Sequence, residues 1–287
     1  MFTKTHRRIL VNEFYRIKNS ANNLYRIQHG GCDLSKLISG KNVLIIGPTL
    51  SEATGDFSYD YDLIVRCNNS IEHIGLSGQD GVGDGIDLLY LSPSSEGRYF
   101  DHIDIMENNI PGQKYEVQKQ TDIWERFDGK LRVVRLYGGV TPRIGGGEPI
   151  GSFYRPNTDC ANAFFSKNNY SIRAYHSPVV PSYIHRCMRY ASGAMLIPRC
   201  GFLAVVESLL SGANSVYIKN MTFYHGGSNV YRSGSVESFS PTSDNFGNET
   251  RWHDSSVEIK LLKFFINLCE DGVLQYDDAF GAILNAE

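Results

Sequence analysis

The chain has no pair of cysteines two residues apart. Its six, at positions 32, 67, 160, 187, 200 and 269, are scattered over 287 residues. That spacing excludes a zinc knuckle or a Cys-x-x-Cys redox motif and fits reduced, mostly buried thiols better than a disulfide framework. No apolar run approaches the roughly 20 residues that cross a bilayer. The segment from Met1 to Gln28 lacks the apolar core of a signal peptide. A cytoplasmic protein is the expectation, and the glycosylation sequons at Asn68, Asn220 and Asn248 then read as chance matches. A charge bias is also missing: 28 Lys and Arg stand against 31 Asp and Glu, for a net −3, and no nucleic-acid partner is expected. Two phosphate-binding fingerprints are absent as well. Gly47 stands alone after the first apolar run, Gly83-Asp84-Gly85 precedes a run instead of following one, and no Gly-Lys-Ser/Thr occurs. A dinucleotide reductase and a P-loop NTPase are therefore disfavoured.

What is present suits an α/β fold. Hydrophobic residues make up 41% and charged residues 21%, ordinary for a globular chain long enough to bury a sizeable core. Short apolar runs recur at Val43–Ile46, Leu63–Val65, Ile86–Leu91, Leu131–Leu136 and Val216–Ile218. Runs of this kind alternating with helical patterns predict a Rossmann-like parallel sheet with helices on both faces. Ligands then gather where the strand ends point, which puts the loops at 47–50, 67–70, 92–95 and 219–227 on one rim. The simplest partition is an N-terminal helical extension over 1–40 and a catalytic domain over 41–287. Within the extension Ile9, Leu10, Phe14, Ile17, Leu24 and Ile27 lie among basic residues, as in one or two amphipathic helices. Packing on the main domain is the first reading of that pattern, and peripheral contact with a membrane surface is the second.

The stretch from Pro198 to Ala213 carries the strongest local signal. Apolar residues at 202, 203, 205, 206, 209 and 210 follow helical spacing between Gly201 and Gly212, and the apolar strand Val216–Ile218 follows. A glycine at the mouth of a helix exposes backbone N–H groups and a positive dipole end, a seat for phosphate. Arg199 either pairs with that phosphate or faces solvent. A last helix is expected over Ser256–Leu268. The glycine run from Gly138 to Gly151 is a mobile surface loop or a lid over an acceptor. Asp60-Tyr61-Asp62 has metal-and-diphosphate spacing but precedes its strand, and Asp101/Asp104 and Asp277-Asp278 lack further ligands. All three read as solvated turn carboxylates, and no metal is expected.

Three blocks resemble the sialyltransferase superfamily, most closely the bacterial glycosyltransferase family 42 and more distantly family 29. The first runs from Val43-Leu44-Ile45-Ile46-Gly47-Pro48 to Arg66-Cys67-Asn68. The second joins Cys200-Gly201 through Gly212-Ala213 to Val216-Tyr217-Ile218 and Phe223-Tyr224. The third is His253 with the amphipathic run to Phe265 behind it. The resemblance implies a single sialyltransferase-like domain and an inverting, metal-independent transfer of a CMP-activated acidic sugar, such as sialic acid, onto a glycan hydroxyl. His253 would match the general base, a role that the neutral imidazole near pH 7 suits. Tyr224 and Tyr231 would match paired tyrosines on the leaving phosphate. Gly47, Pro48, Thr49, Asn68, Ser92, Arg199, Cys200 and Gly201 would line the donor site, with no cofactor beyond the nucleotide sugar. Three positions depart from the family pattern: Pro48-Thr49 after Gly47, Cys200 before Gly201, and Thr222 before Phe-Tyr. These keep open a UDP- or GDP-sugar donor, or a non-catalytic module that binds nucleotide or glycan. Read without the resemblance, His253 is a capping histidine and the two tyrosines pack.

Overall fold

The computed structural model describes residues 2–28, 34–47, 60–73, 85–91, 122–137, 140–141, 152–153, 158–177, 179–193, 198–221 and 255–286. Seven strands form one sheet: β1 (Asn42–Ile46), β2 (Leu63–Cys67), β3 (Leu88–Leu91), β4 (Val133–Leu136), β7 (Arg173–Tyr175), β8 (Ser215–Lys219) and β9 (Leu274–Tyr276). Their spatial order is β7-β4-β3-β2-β1-β8-β9, and every neighbouring pair is parallel. A separate antiparallel pair, β5 (Val140–Thr141) and β6 (Ser152–Phe153), brackets most of the glycine run, whose residues 142–151 lie outside the described set. The Rossmann-like parallel sheet expected from the apolar runs is thus the observed architecture. The strands are predominantly apolar because helices cover both faces of a parallel sheet.

Alternate strand residues point to opposite faces. On one face Val43, Ile45, Val65, Cys67, Leu88, Tyr90 and Val216 join the largest apolar cluster. Helices α1 (Lys4–Gln28), α2 (Leu34–Ile38), α5 (Val179–Ser192), α6 (Cys200–Leu210) and α7 (Ser255–Ile266) contribute to it. On the other face Leu89, Leu91, Val134 and Leu136 pack with Trp124 and Phe127 of α3 (Asp122–Phe127) and Phe165 of α4 (Thr158–Lys167). Leu44, Ile46 and Ile64 form a third group with Tyr61 and Tyr217. Helix α1 is a single element across the region where one or two were expected. Leu10, Phe14 and Ile17 are its buried stripe, tied to the body by the Tyr183 hydroxyl, which donates to the Leu10 carbonyl at 3.0 Å. Ile9 is 44% exposed, so the apolar face is narrower than composition implied.

Helix α6 is the central helix. Every residue except Gly201 is buried, as an all-apolar helical surface requires. Its end is a Schellman turn: Ala213 N–H donates to Ser208 O, Gly212 N–H to Leu209 O, and Gly212 has φ +79°. One residue of α6 reaches polar partners in the otherwise apolar layer. Glu207 is fully buried and ion-pairs at 2.9 Å with the equally buried Arg135 of β4. Tyr90 of β3 also donates to Glu207, at 2.9 Å. Arg135 gives its remaining donors to the carbonyls of Leu136 and Ser177. Because Tyr90 and Arg135 are cross-strand neighbours, this network fixes α6 over β3 and β4 at one height. Helix α7 starts one residue earlier and ends two earlier than the Ser256–Leu268 expectation; a turn from Leu268 N–H to Phe265 O closes it. The remaining elements, α4, β7 and α5 within 158–192 and β9 with α8 (Asp278–Ala286), had no sequence counterpart.

Candidate functional site

From β1 the chain moves outward through β2, β3, β4 and β7. It then returns to lay β8 against the free side of β1. The reversal makes the carboxyl ends of β1 and β8 a topological switch point, where open parallel sheets leave a crevice. Gly47 follows β1 there, and its N–H donates to Lys219 O at 2.8 Å. A Cβ on Gly47 would overlap the Asn220 carbonyl oxygen and stand 2.9 Å from Met221 Cα. The glycine is needed because two backbones pass each other. Gly201, in the first turn of α6, meets the side chain of the same Met221: its Cβ would lie 2.6 Å from Met221 Cε and 3.0 Å from Sδ. Gly47→Ala is therefore expected to cost about 3 kcal/mol, since backbone must yield. Gly201→Ala is expected to cost under about 1 kcal/mol, since a methionine side chain can swing away and alanine favours the helix. Urea unfolding of the two variants checks the contrast.

Left-handed backbone marks both flanks of the crevice. Asn68, just past β2, has φ +49°, and Asn220, just past β8, has φ +56°, a conformation that asparagine tolerates better than most residues. Ser70 holds the first turn by accepting the Cys67 N–H at 3.0 Å. Asp277 holds the second. Its Oδ2 accepts the Asn220 N–H at 2.8 Å, and its Oδ1 accepts the Phe280 N–H at 2.9 Å in the first turn of α8. Asp277 is thus not the solvated turn carboxylate expected from sequence but a clasp between β8 and α8. Asp62 matches the expectation that it lies at the wrong end, since it accepts the Asn42 N–H at the amino edge of β1. Two buried cations flank β1 one residue before Gly47: Arg66 of β2 and Lys219 of β8 both pair in register with Ile46. The sequence reading gave neither a role. Their signal was a cation inside an apolar strand.

The mouth of α6 differs from expectation. Arg199 is its N-cap, and the Arg199 N–H donates to Oε1 of Glu258 in α7 at 2.7 Å, while the guanidinium ion-pairs with Oε2. Glu258 is fully buried and the Arg199 side chain is 16% exposed. Arg199 is held by a carboxylate, neither turned to solvent nor reserved for phosphate, and the helix end already meets one internal negative charge. Tyr137, just past β4, is a further group that the sequence did not announce. Its buried hydroxyl has no partner among the described residues. Burial above all, then Cys200, with Glu258 adding, pushes the phenol up, so it stays a neutral donor. Cys67 is pushed up to about 12 by burial and is an unreactive thiol. None of the five described cysteines is bridged.

Of the sequence-selected residues, Gly47, Asn68, Arg199, Cys200 and Gly201 border this crevice or the adjoining mouth of α6. Pro48, Thr49, Ser92, Tyr224, Tyr231 and His253 lie outside the described residues, although Glu258 stands five positions after His253. Among the described residues no helix is long and apolar enough to cross a membrane.

No protein-family model and no curated protein matches the chain. Among solved structures it is similar to a mammalian sialyltransferase in complex with Gal-beta-1-3GalNAc-ortho-nitrophenol, at 13% identity and a TM-score of 0.42, over 96% of this chain and 86% of that one. It is also similar to the sialyltransferase CstII from Campylobacter jejuni in complex with CMP-3FNeuAc, at 10% identity and a TM-score of 0.37, over 82% and 78%. Likenesses this distant assign no ligand, no residue role and no family.

Proposed function

We propose that the chain is an inverting glycosyltransferase of sialyltransferase-like build, acting in the cytoplasm without a metal. It moves a CMP-activated acidic sugar such as sialic acid onto a glycan hydroxyl. The observation that carries this reading is that Gly47 and Asn68 follow the neighbouring strands β1 and β2 at their carboxyl ends, while Gly47 and Gly201 both crowd Met221, just past β8. Three motif positions, far apart in sequence, thus belong to the carboxyl edge where a nucleotide fits an open parallel sheet. In this reading His253 takes the proton of the acceptor hydroxyl as its oxygen attacks the anomeric carbon. The bond from that carbon to the phosphate oxygen breaks on the opposite face, and CMP leaves with the electron pair. Tyr224 and Tyr231 donate hydrogen bonds to the departing phosphate. Neutral donors aimed at developing negative charge stabilise it without a cation.

Thermal unfolding across CMP, CDP, UDP, GDP and NAD, with EDTA present, tests the reading. A ligand that binds only the folded chain adds about 2.7 kcal/mol at a hundred times its dissociation constant, a shift of several degrees for a chain of this size. CMP alone is expected to raise the midpoint. A shift with UDP or GDP instead would replace the donor, and a shift with none would leave the non-catalytic module.

A further inference from the structure

Helix α1 concentrates positive charge that the crevice does not use. It carries Lys4, Arg7, Arg8, Arg16, Lys18 and Arg26 against the single carboxylate of Glu13. That is +5 on 25 residues of a chain whose net charge is −3, so the remainder holds −8. The helix is fixed in orientation by Leu10, Phe14 and Ile17, which are at most 1% exposed. Lys4, Arg8, Asn12, Tyr15, Arg16 and Asn19 consequently fall on the opposite side, and all are exposed. Glu13 is turned inward to the guanidinium of Arg186 in α5 and offsets only Arg16 among them, at 3.6 Å. Among the described residues Lys4 and Arg8 form no ion pair, so they are the uncompensated cations of that side. Arg189 of α5 and Lys260 of α7, on the helices packed beside it, are exposed too. Two of the three large apolar side chains exposed among the described residues, Ile9 at 44% and Tyr15 at 43%, also lie on α1.

We propose that the outer face of α1 docks on an anionic lipid surface. The apolar side of the helix is spent on the core, so it cannot lie in the bilayer as a free amphipathic helix does. It binds as a rigid basic rail, with headgroups against Lys4 and Arg8 and with Ile9 and Tyr15 pressed into the interface. Two exposed apolar residues set among cations favour a lipid surface over a nucleic acid, which would offer them only phosphate and sugar. The electrostatic part falls with salt, because lipid charge is screened within a Debye length.

Sedimentation of the full chain with phosphatidylcholine vesicles, with and without 30% phosphatidylglycerol, tests the inference. Binding is expected only to the anionic vesicles, weakening as sodium chloride rises. The pair Lys4→Gln and Arg8→Gln, two exposed positions outside the core, is expected to reduce binding roughly 25-fold, about five-fold for each cation near the surface. Ile9→Ser should reduce it further, with the unfolding midpoint unchanged in both variants. No sedimentation at low salt, equal binding to neutral vesicles, or indifference to the charge pair would overturn the proposal. So would competition in which a single-stranded oligonucleotide displaces the protein from vesicles with higher affinity than the lipid. None of these readouts depends on the donor or on turnover.

Discussion

Arg135→Leu is expected to be among the most destabilising single changes in this chain, at about 3–5 kcal/mol. It leaves the Glu207 carboxylate fully buried without its cation. Whole domains are stable by about 5–15 kcal/mol, so the variant sits near the threshold of folding. The cause is the uncompensated charge and not the worth of the pair. Tyr90 still donates to Glu207, but one neutral hydrogen bond does not replace a guanidinium. The double variant Arg135→Leu with Glu207→Leu therefore recovers most of the loss. Its deficit lies in the Leu136 and Ser177 carbonyls that Arg135 had satisfied and in the Tyr90 hydroxyl, which loses its acceptor. Urea unfolding followed by far-UV circular dichroism gives the cycle, with an expected coupling well above 1 kcal/mol. Additive single-variant costs, or a cost below 1 kcal/mol for Arg135→Leu, would show that the pair is not a unit. The double variant should also bind nucleotide less well than its stability implies, because Glu207 lies seven residues from the mouth of α6 and the network sets the height of that helix over the sheet.

That network also shows where the sequence was silent. The apolar strands from Val43 to Ile218 were legible because a parallel sheet buried on both faces demands unbroken apolar runs. Helix α6 was legible because Gly201 and Gly212 bracket a helical period. The edge strands were not: β7 is Arg-Ala-Tyr and β9 Leu-Gln-Tyr, too short to show a period and bounded on one side only. Helix α5 was hidden because its buried stripe includes Pro181, Tyr183 and Cys187, residues that composition alone does not rank as core. Charges were the hardest to read. Arg135 and Arg66 sit inside apolar strands, and Glu207 and Glu258 inside apolar helices. Their partners are 72 residues away for Arg135–Glu207 and 59 for Arg199–Glu258, so no local pattern announces them. The rim was readable as a set of loops. The crowding of Gly47 and Gly201 onto Met221 depends on the return of β8 to β1, which periodicity does not encode.

His253→Ala is expected to fold, to bind nucleotide as the parent does, and to lose about 10²–10⁴ in kcat. A positioned general base contributes that much to proton abstraction. In sequence the histidine lies two residues before α7, whose Glu258 holds the N-cap of α6 through the Arg199 N–H. That link separates two roles for the same turn. If His253 is the base, Glu258→Gln keeps the hydrogen bond to the Arg199 N–H but loses the ion pair, so stability falls and turnover falls with it. His253→Ala abolishes turnover at unchanged stability. If His253 only caps α7, its loss costs about 1 kcal/mol of stability and leaves kcat within a few-fold of the parent. Measured with a CMP-sugar and a glycan acceptor, the parent should also lose turnover as pH falls and the imidazole takes up a proton, whereas His253→Ala should show no such acid limb. An acid limb that persists in the variant would move the base to another residue. The descent would then belong to a carboxylate or to His176, whose Nδ1 lies 3.5 Å from Arg135 Nη1 inside the core network.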